Sequence, residues 1–349
     1  MIRADAPLGA AHAGLHTPHT ALVLTAGLGT RLKPLTYVRA KAAVPVNGDT
    51  LARRAVRWLV SYGVRDVVLN LHHLPETIAA SVGDGSDLGA RVRYSWEPSV
   101  LGSAGGPRRA LPLLVDRPGA TQSPVGHPET FLIVNGDTLT NVDIAAMAAL
   151  HVESGAAVTM ALIPNPQPDK YGGVQVADGR RVTGFSRAGA ARAPYHFIGV
   201  QIADARVFAG LEDGVPAETV NALYPALLAR DRHSIAAFVS NASFHDIGRP
   251  ADYLTTSAQL AVLEGDRMAS GTRTHVDPSA SVRGSALWDD VTIGAGAEIV
   301  ECIVGDGVEV PQGARYRRCA LIRADDRRPQ SRERIEGALL ITEIDETNG

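Results

Sequence analysis

A chain of 349 residues has room for one large domain or two smaller ones, and 45% hydrophobic with 20% charged residues is an ordinary globular balance. A formal net charge of −3 excludes the broad basic field that a nucleic-acid polymer would need, and no stretch is long and apolar enough to cross a membrane. Cys302 and Cys319, the 2 cysteines, are too few for a disulfide framework or a zinc set and suit a reducing, cytoplasmic setting.

Residues 1–19 carry Arg3, Asp5, histidines and prolines without an apolar core, so they read as a flexible lead-in rather than a secretory signal. From Leu22 to about Ala261 short apolar runs alternate with helical patterns. Leu22–Leu24 is the first expected strand. Leu51, Ala55, Val56 and Leu59 stand at helical spacing, and Gly63 ends that helix. Asp66–Asn70 and Arg91–Trp96 read as strands, with a helix over Pro75–Val82 between them. A helix within Ala104–Leu114 leads to the most apolar strand, Phe131–Val134; Ile144–Ser154 is helical and Ala156–Ile163 extended. This βαβα rhythm predicts a mostly parallel sheet with helices on both faces, whose ligands collect at the carboxyl ends of the strands. Past Pro164 the pattern changes. Tyr171–Ala177 and Arg181–Phe185 flank Asp178-Gly179, a hairpin signal; Phe197–Ile202 is a further strand and Thr219–Ala229 a helix.

The polar, small stretch 265–274 reads as a linker following an expected domain of residues 20–264. After it, Ile293-Gly-Ala-Gly-Ala-Glu-Ile299 is echoed by Val304-Gly-Asp-Gly-Val-Glu-Val310, and Val276, Val282 and Trp288 recur every six residues. Aliphatic residues at that step with glycines at the corners predict a short left-handed hexapeptide β-helix over 275–323, a surface through which copies of the chain could associate. The charged run after Ala324 reads as a surface tail, 324–349.

Two turns at strand ends carry chemistry. Ala26-Gly27-Leu28-Gly29-Thr30 follows the first strand, with Arg31, Lys33 and Lys41 beyond it. Two glycines let backbone approach a ligand, and the cations add charge at the same place, as a bound polyphosphate requires. The loop is neither a Walker A loop nor a dinucleotide fingerprint, since no Gly-Lys-Ser/Thr closes it and Leu32 stands where a third glycine belongs. The second turn, Asn135-Gly136-Asp137, places a carboxylate where a Mg²⁺ ion could be held.

The string Leu22–Val46 resembles the signature of the sugar-1-phosphate nucleotidyltransferases, in which Leu24, Ala26, Gly27, Gly29–Leu32, Pro34–Thr36, Lys41, Pro45 and Val46 match in order. Ala40 departs from it, standing where that family has proline. The resemblance covers Leu22 to about Leu260. It implies an α/β fold, a Rossmann-like mixed, mostly parallel sheet, here followed by the short β-helix. It also implies site roles. Arg31 and Lys41 would be catalytic, Arg31 on the β,γ-phosphates of an NTP and Lys41 between the α-phosphate and a sugar phosphate. Leu24, Ala26, Gly27, Gly29 and Thr30 would bind the nucleotide, with Gly102, Ala104 and Gly105 of Leu101-Gly-Ser-Ala-Gly-Gly106 at the base. Asp246, in Asp246-Ile-Gly-Arg-Pro250, would join Asp137 as the second Mg²⁺ ligand. Asn135, Gly172 of Tyr171-Gly-Gly-Val174 and Arg187 would face the sugar phosphate, Arg187 standing where the family carries a Glu-Lys-Pro lysine.

L-G-S-A-G is similar to mannose-1-phosphate guanylyltransferases and points to GTP. Gly83-Asp-Gly-Ser-Asp-Leu-Gly89 and Val134-Asn-Gly-Asp137 are similar to uridylyltransferases of N-acetylmuramate 1-phosphate, so UTP with that sugar phosphate or glucose 1-phosphate is the alternative. Two readings of another kind remain: an acyltransferase on the β-helix, which His275 alone supplies with a histidine, and a non-catalytic nucleotide-sensing subunit.

Overall fold

The computed structural model describes residues 17–115, 129–190, 194–265, 268 and 270–345. Most of the expected lead-in, part of the expected linker and the last residues of the expected tail lie outside that set. The chain divides into two compact units. The described residues of one fall within 17–27 and 52–245; those of the other fall within 28–51 and 246–345.

In the first unit, nine strands of the described residues form one mixed sheet in the order Arg91–Trp96, Asp66–Leu71, Thr20–Leu24, Thr130–Asn135, Tyr195–Asp204, Val158–Pro164, Ile235–Val239, Arg181–Ser186 and Gly173–Ala177. The first four run parallel. Tyr195–Asp204 then pairs antiparallel with both of its neighbours, and the direction stays mixed beyond it. The parallel half has one topological consequence for the site: the ends of Thr20–Leu24, Asp66–Leu71 and Thr130–Asn135 leave the sheet on the same edge. Apolar runs form these strands because both faces are covered. Leu22, Val68, Phe131, Ile133, Val158 and Met160 are buried in one cluster with Phe208 and Tyr224. The helix Ile144–Ser154 begins at Asp143, whose carboxylate accepts from the Ala146 N–H at 3.1 Å, and ends at Gly155 with φ 61°. Asp178 (φ 51°) and Gly179 (φ 65°) both adopt the left-handed conformation in the turn 178–180, in which the Arg180 N–H donates to the Ala177 carbonyl at 3.1 Å and Ala177 pairs with Arg181.

The second unit carries the remainder of the loop that leaves the first strand. It contains short 3₁₀ turns at Thr30–Leu32, Leu35–Tyr37 and Lys41–Ala43, and a small hairpin of Pro45–Val46 with Asp49–Thr50. It also contains the helix Pro250–Glu264 and a coiled stack of parallel strands. On three faces the strands repeat: His275–Val276, Thr292–Ile293 and Glu309–Val310; Ser281–Arg283, Glu298–Val300 and Arg315–Arg317; Ala286–Leu287, Ile303–Val304 and Cys319–Arg323. This is the arrangement of a β-helix.

Its register refines the six-residue reading. Each coil advances by 17 residues, as in the Ser285–Cys302 hydrogen bond, so one side is a residue short. Ile293 stacks on Val310 and Ile299 on Tyr316, so the two copies of the glycine-rich motif lie on successive faces of the coil rather than one above the other. Leu287, not Trp288, stacks on Val304. The aliphatic residues Ile293, Ile299, Val304, Val310 and Leu321 fill the interior. Beyond Ala324, where charge predicts a surface tail, Leu339–Glu343 pairs with Cys319–Arg323 and with Glu333–Glu336, because Leu339, Leu340 and Ile341 are apolar enough to be buried there.

Candidate active site

In the first unit, the end of the Thr20–Leu24 strand is tied to two neighbouring strand ends by a buried polar chain. The Thr25 N–H donates to Asn70 Oδ1 at 2.6 Å, and the Thr25 hydroxyl donates to the Asn70 carbonyl. Asn70 Nδ2 donates to Glu97 Oε1 at 2.7 Å, and Glu97 Oε2 accepts the Leu101 N–H at 2.9 Å. Glu97 is fully buried and Asn70 nearly so. Such groups persist inside a protein only when hydrogen-bonded, so the chain fixes the start of the glycine loop and the start of the helix Gly102–Val115 together. Close packing enforces the glycines here. A Cβ on Gly106 would lie 2.8 Å from Glu97 Oε1, and one on Gly136 would lie 2.7 Å from the Leu24 carbonyl oxygen. Gly136 therefore brings the turn carrying Asp137 against the end of the first strand. Asn135 lies at the end of Thr130–Asn135, and Gly199 (φ 77°) makes room for its side chain, which any Cβ there would strike.

The segment Gly102–Gly105 is hydrogen-bonded to the stretch 217–219. The N–H groups of Ala104 and Gly105 both donate to the Ala217 carbonyl, at 2.9 and 3.2 Å. Ala217 in turn donates its N–H to the Leu101 carbonyl at 2.9 Å. In this structure those two amides are directed at Ala217. Gly102 (φ 78°) lies against Glu218, and Ser103 Oγ donates to Glu218 Oε2 at 2.7 Å while accepting the Thr219 N–H at 2.9 Å. Just before the edge strand Gly173–Ala177, Tyr171 lies near His196 (centroids 4.4 Å apart) and Phe244 (5.6 Å), beside Gly172. Burial pushes the His196 imidazole below its ordinary pKa, against a weaker opposing effect from the Gly172 carbonyl; burial does the same to His245. Arg187 is exposed just past Arg181–Ser186.

In the second unit the remainder of the loop folds back on itself. Gly29 has φ 61°, and a Cβ there would lie 2.7 Å from Thr36 Cγ2 and 3.2 Å from Lys41 Cβ; Thr36 Oγ1 donates to the Gly29 carbonyl at 3.0 Å. Only glycine fits that conformation in that space. Arg31 meets two carboxylates at Gly248. The point where a Gly248 Cβ would lie is 3.6 Å from Arg31 Nη1, 3.3 Å from Asp246 Oδ2 and 3.3 Å from Asp252 Oδ2. So the structure brings Arg31 and Asp246 together, although 215 positions of numbering separate them, and adds Asp252, which sequence reasoning missed. Its signal was the acid two residues after Pro250, in the first turn of the helix. Ala40 has φ −53° and ψ 147°, a conformation that proline, with φ locked near that value, would also adopt.

The Asp246 and Asp252 carboxylates supply hard oxygen donors, 3.3 Å each from the point where a Gly248 Cβ would lie, the donor type that suits a Mg²⁺ ion completed by phosphate oxygens. No group of three or more His, Cys, Asp or Glu among the described residues forms an all-protein metal site. A guanidinium just past the glycine loop thus meets two carboxylates from far along the chain at Gly248, groups suited to handling phosphates.

The nucleotidyl transferase profile matches residues 20–262. The chain belongs to the nucleotidyl transferase family. It is accordingly an enzyme of the nucleotidyltransferase class, as the signature of Leu22–Val46 implies. It is 28% identical to mannose-1-phosphate guanylyltransferase of Mycobacterium tuberculosis over 84% of this chain and 81% of that one. It is 24% identical to a UTP–glucose-1-phosphate uridylyltransferase of Synechocystis over 78% and 71%. Among solved structures it is similar to HddC from Yersinia pseudotuberculosis, complexed with GMP-PN, with TM-score 0.56 and 21% identity over 69% of this chain and 99% of that one. That likeness shows the fold. Among the described residues no helix is long and apolar enough to cross a membrane.

Proposed function

We propose that this nucleotidyltransferase joins GTP to mannose 1-phosphate, giving GDP-mannose and pyrophosphate. The observation that carries the reaction class is the convergence of Arg31, Asp246 and Asp252 on Gly248 within a chain that also keeps Lys41 and Asp137. The Leu-Gly-Ser-Ala-Gly string and the 28% identical Mycobacterium tuberculosis relative support the choice of base and sugar.

In this reading a sugar-phosphate oxygen attacks the α-phosphorus directly. The new P–O bond forms as the bond from the α-phosphorus to the β-bridging oxygen breaks, and pyrophosphate leaves. The protein supplies position and charge rather than a covalent intermediate. Lys41 carries positive charge between the two reacting phosphates, and Arg31 holds the β,γ-phosphates until they depart. Leu24, Ala26, Gly27, Gly29 and Thr30 lie along the nucleotide. Gly102, Ala104 and Gly105 lie at the base. Asn135, Gly172 and Arg187 face the sugar phosphate. Asp137 and Asp246 would hold Mg²⁺, which when bound neutralises phosphate charge.

The relative from Synechocystis favours a second reading, UTP with glucose 1-phosphate. A screen of four NTPs against several sugar 1-phosphates, followed by pyrophosphate release, decides between them. GTP with mannose 1-phosphate should turn over fastest, and UTP turnover without GTP turnover would replace the first reading by the second. Chelation with EDTA should abolish turnover and added Mg²⁺ should restore it.

A further inference from the structure

Lys41 lies in a 3₁₀ turn, Lys41–Ala43, that is gripped on both flanks by residues far along the chain but inside the same unit. On the amino-terminal flank the Arg39 guanidinium forks onto Asp306, with Nε to Oδ2 at 2.6 Å and Nη2 to Oδ1 at 2.7 Å, and Nη2 also donates to Asp289. The Arg39 side chain is only 15% exposed, and its guanidinium lies 5.5 Å from the centre of the Trp288 ring. On the carboxyl-terminal flank the Tyr253 hydroxyl donates to the Pro45 carbonyl at 2.6 Å while accepting from Trp288 Nε1 at 3.0 Å. One residue of the coiled stack, Trp288, therefore touches both flanks, one directly and one through Tyr253.

The acidic pair is set in place by the coil itself. Asp289 accepts the Thr272 N–H at 2.7 Å, and the Asp289 N–H donates to Asp306 Oδ1 at 3.1 Å. The two aspartates stand one coil apart, at the same corner. A bidentate guanidinium–carboxylate pair fixes orientation as well as charge, which lysine could not do.

We propose that the Asp289–Asp306 corner and Trp288 form an external clamp on the signature segment, with Arg39 as a positioning residue that sets Lys41 for the reaction. The clamp does from outside what the family's proline does from within. Ala40 is held at φ −53° and ψ 147°, the proline conformation, with no pyrrolidine ring to impose it. The coiled stack is then a working part of the catalytic machinery and not only a surface for assembly. The kinetic consequence rests on the reading of Lys41 as the lysine between the reacting phosphates.

The test uses the full chain with Arg39→Gln, Asp306→Asn and Arg39→Lys. Hydrogen–deuterium exchange of the peptides covering 37–46 is compared with that of the rest of the chain, alongside steady-state kinetics. Exchange in 37–46 should rise about tenfold in Arg39→Gln and Asp306→Asn while the sheet of the first unit is unchanged. In the same variants kcat should fall by about tenfold, the scale expected when a reacting group is displaced by a fraction of an ångström, with KM for the NTP within about twofold. Arg39→Lys should recover part of kcat, because it keeps the charge and loses the fork. Asp306→Asn preserves side-chain shape, so it answers the question even if Arg39→Gln fails to fold. Unchanged exchange in 37–46, or an increase spread evenly over the whole chain, would overturn the clamp. If the wild-type chain transfers no nucleotide to any sugar phosphate, the functional reading fails, and the exchange result still decides the clamp.

Discussion

The two units hold their loops in contrasting ways. At Thr25 and Leu101 the restraint is a short buried chain, Asn70 and Glu97, whose donors and acceptors come from adjacent strand ends of one sheet. At Lys41 it is a set of partly exposed charges and aromatic rings, drawn from positions about 250 residues later in the chain. The first restraint is folded into the core and cannot loosen without cost to the sheet. The second can weaken while both hydrophobic clusters stay intact. The strand ends around Thr25 and Leu101 are thus built to be rigid, and the segment carrying the proposed reacting lysine depends on the carboxyl-terminal coils.

The largest expected effect breaks the chemistry and leaves both restraints alone. Lys41→Met should lower kcat by about a thousandfold, the loss typical when a preorganised charge on a developing anion is removed, with thermal stability unchanged. A fall of less than tenfold would remove Lys41 from the reacting centre.

The next effect breaks the buried chain. Glu97→Gln leaves the Leu101 N–H facing an amide nitrogen, and the unsatisfied donor should cost about 1–3 kcal/mol, read as a lower melting temperature. Gly106→Ala should cost a similar amount, because its Cβ would lie 2.8 Å from Glu97 Oε1. If both variants melt like the wild type, the buried chain is not what makes this region rigid.

The smallest effect is one of pH, at the Tyr171–His196–Phe244 cluster. Burial depresses the folded-state pKa of His196 and His245 below the ordinary 6.5. The unfolded chain therefore binds more protons between the folded and unfolded values. The stability from the neutral imidazoles is fully present above about 6.5 and is lost as pH falls from there toward the folded values. The melting temperature should decline on acidification from pH 7, with a shallower slope in His196→Gln. An identical slope in that variant would exclude His196 as a source.

Much of the fold was legible because it is local. Pro75–Val82, Arg91–Trp96 and Ile144–Ser154 coincide with the expected elements, each marked by apolar period and by capping or breaking residues. The parallel strands of the coils were visible in the doubled glycine motif, but its copies sit on successive faces, since 17-residue coils cannot be told from six-residue steps without the register. Asn70, Arg39, Gly199 and Asp252 escaped notice for one reason. Each is an ordinary residue whose role is created by a neighbour distant in sequence. No periodicity marks Arg39, and only the folding of the coil brings Asp289 and Asp306 to it. Arg31, Lys41 and Asp137 stood out beside turns at strand ends, but only the resemblance of their surrounding strings to a known signature grouped them with Asp246; their spacing alone would not have done so.

The central claim is nucleotidyl transfer supported by Lys41 and the aspartates. The most direct measurement is pyrophosphate release from GTP and mannose 1-phosphate with Mg²⁺, comparing the wild-type chain with Asp137→Ala. Rapid release by the wild type and a loss of about a thousandfold in Asp137→Ala are expected. Undiminished turnover in Asp137→Ala would contradict the assignment of the metal-binding carboxylate, and a wild-type chain inactive with every NTP and sugar 1-phosphate would contradict the function itself.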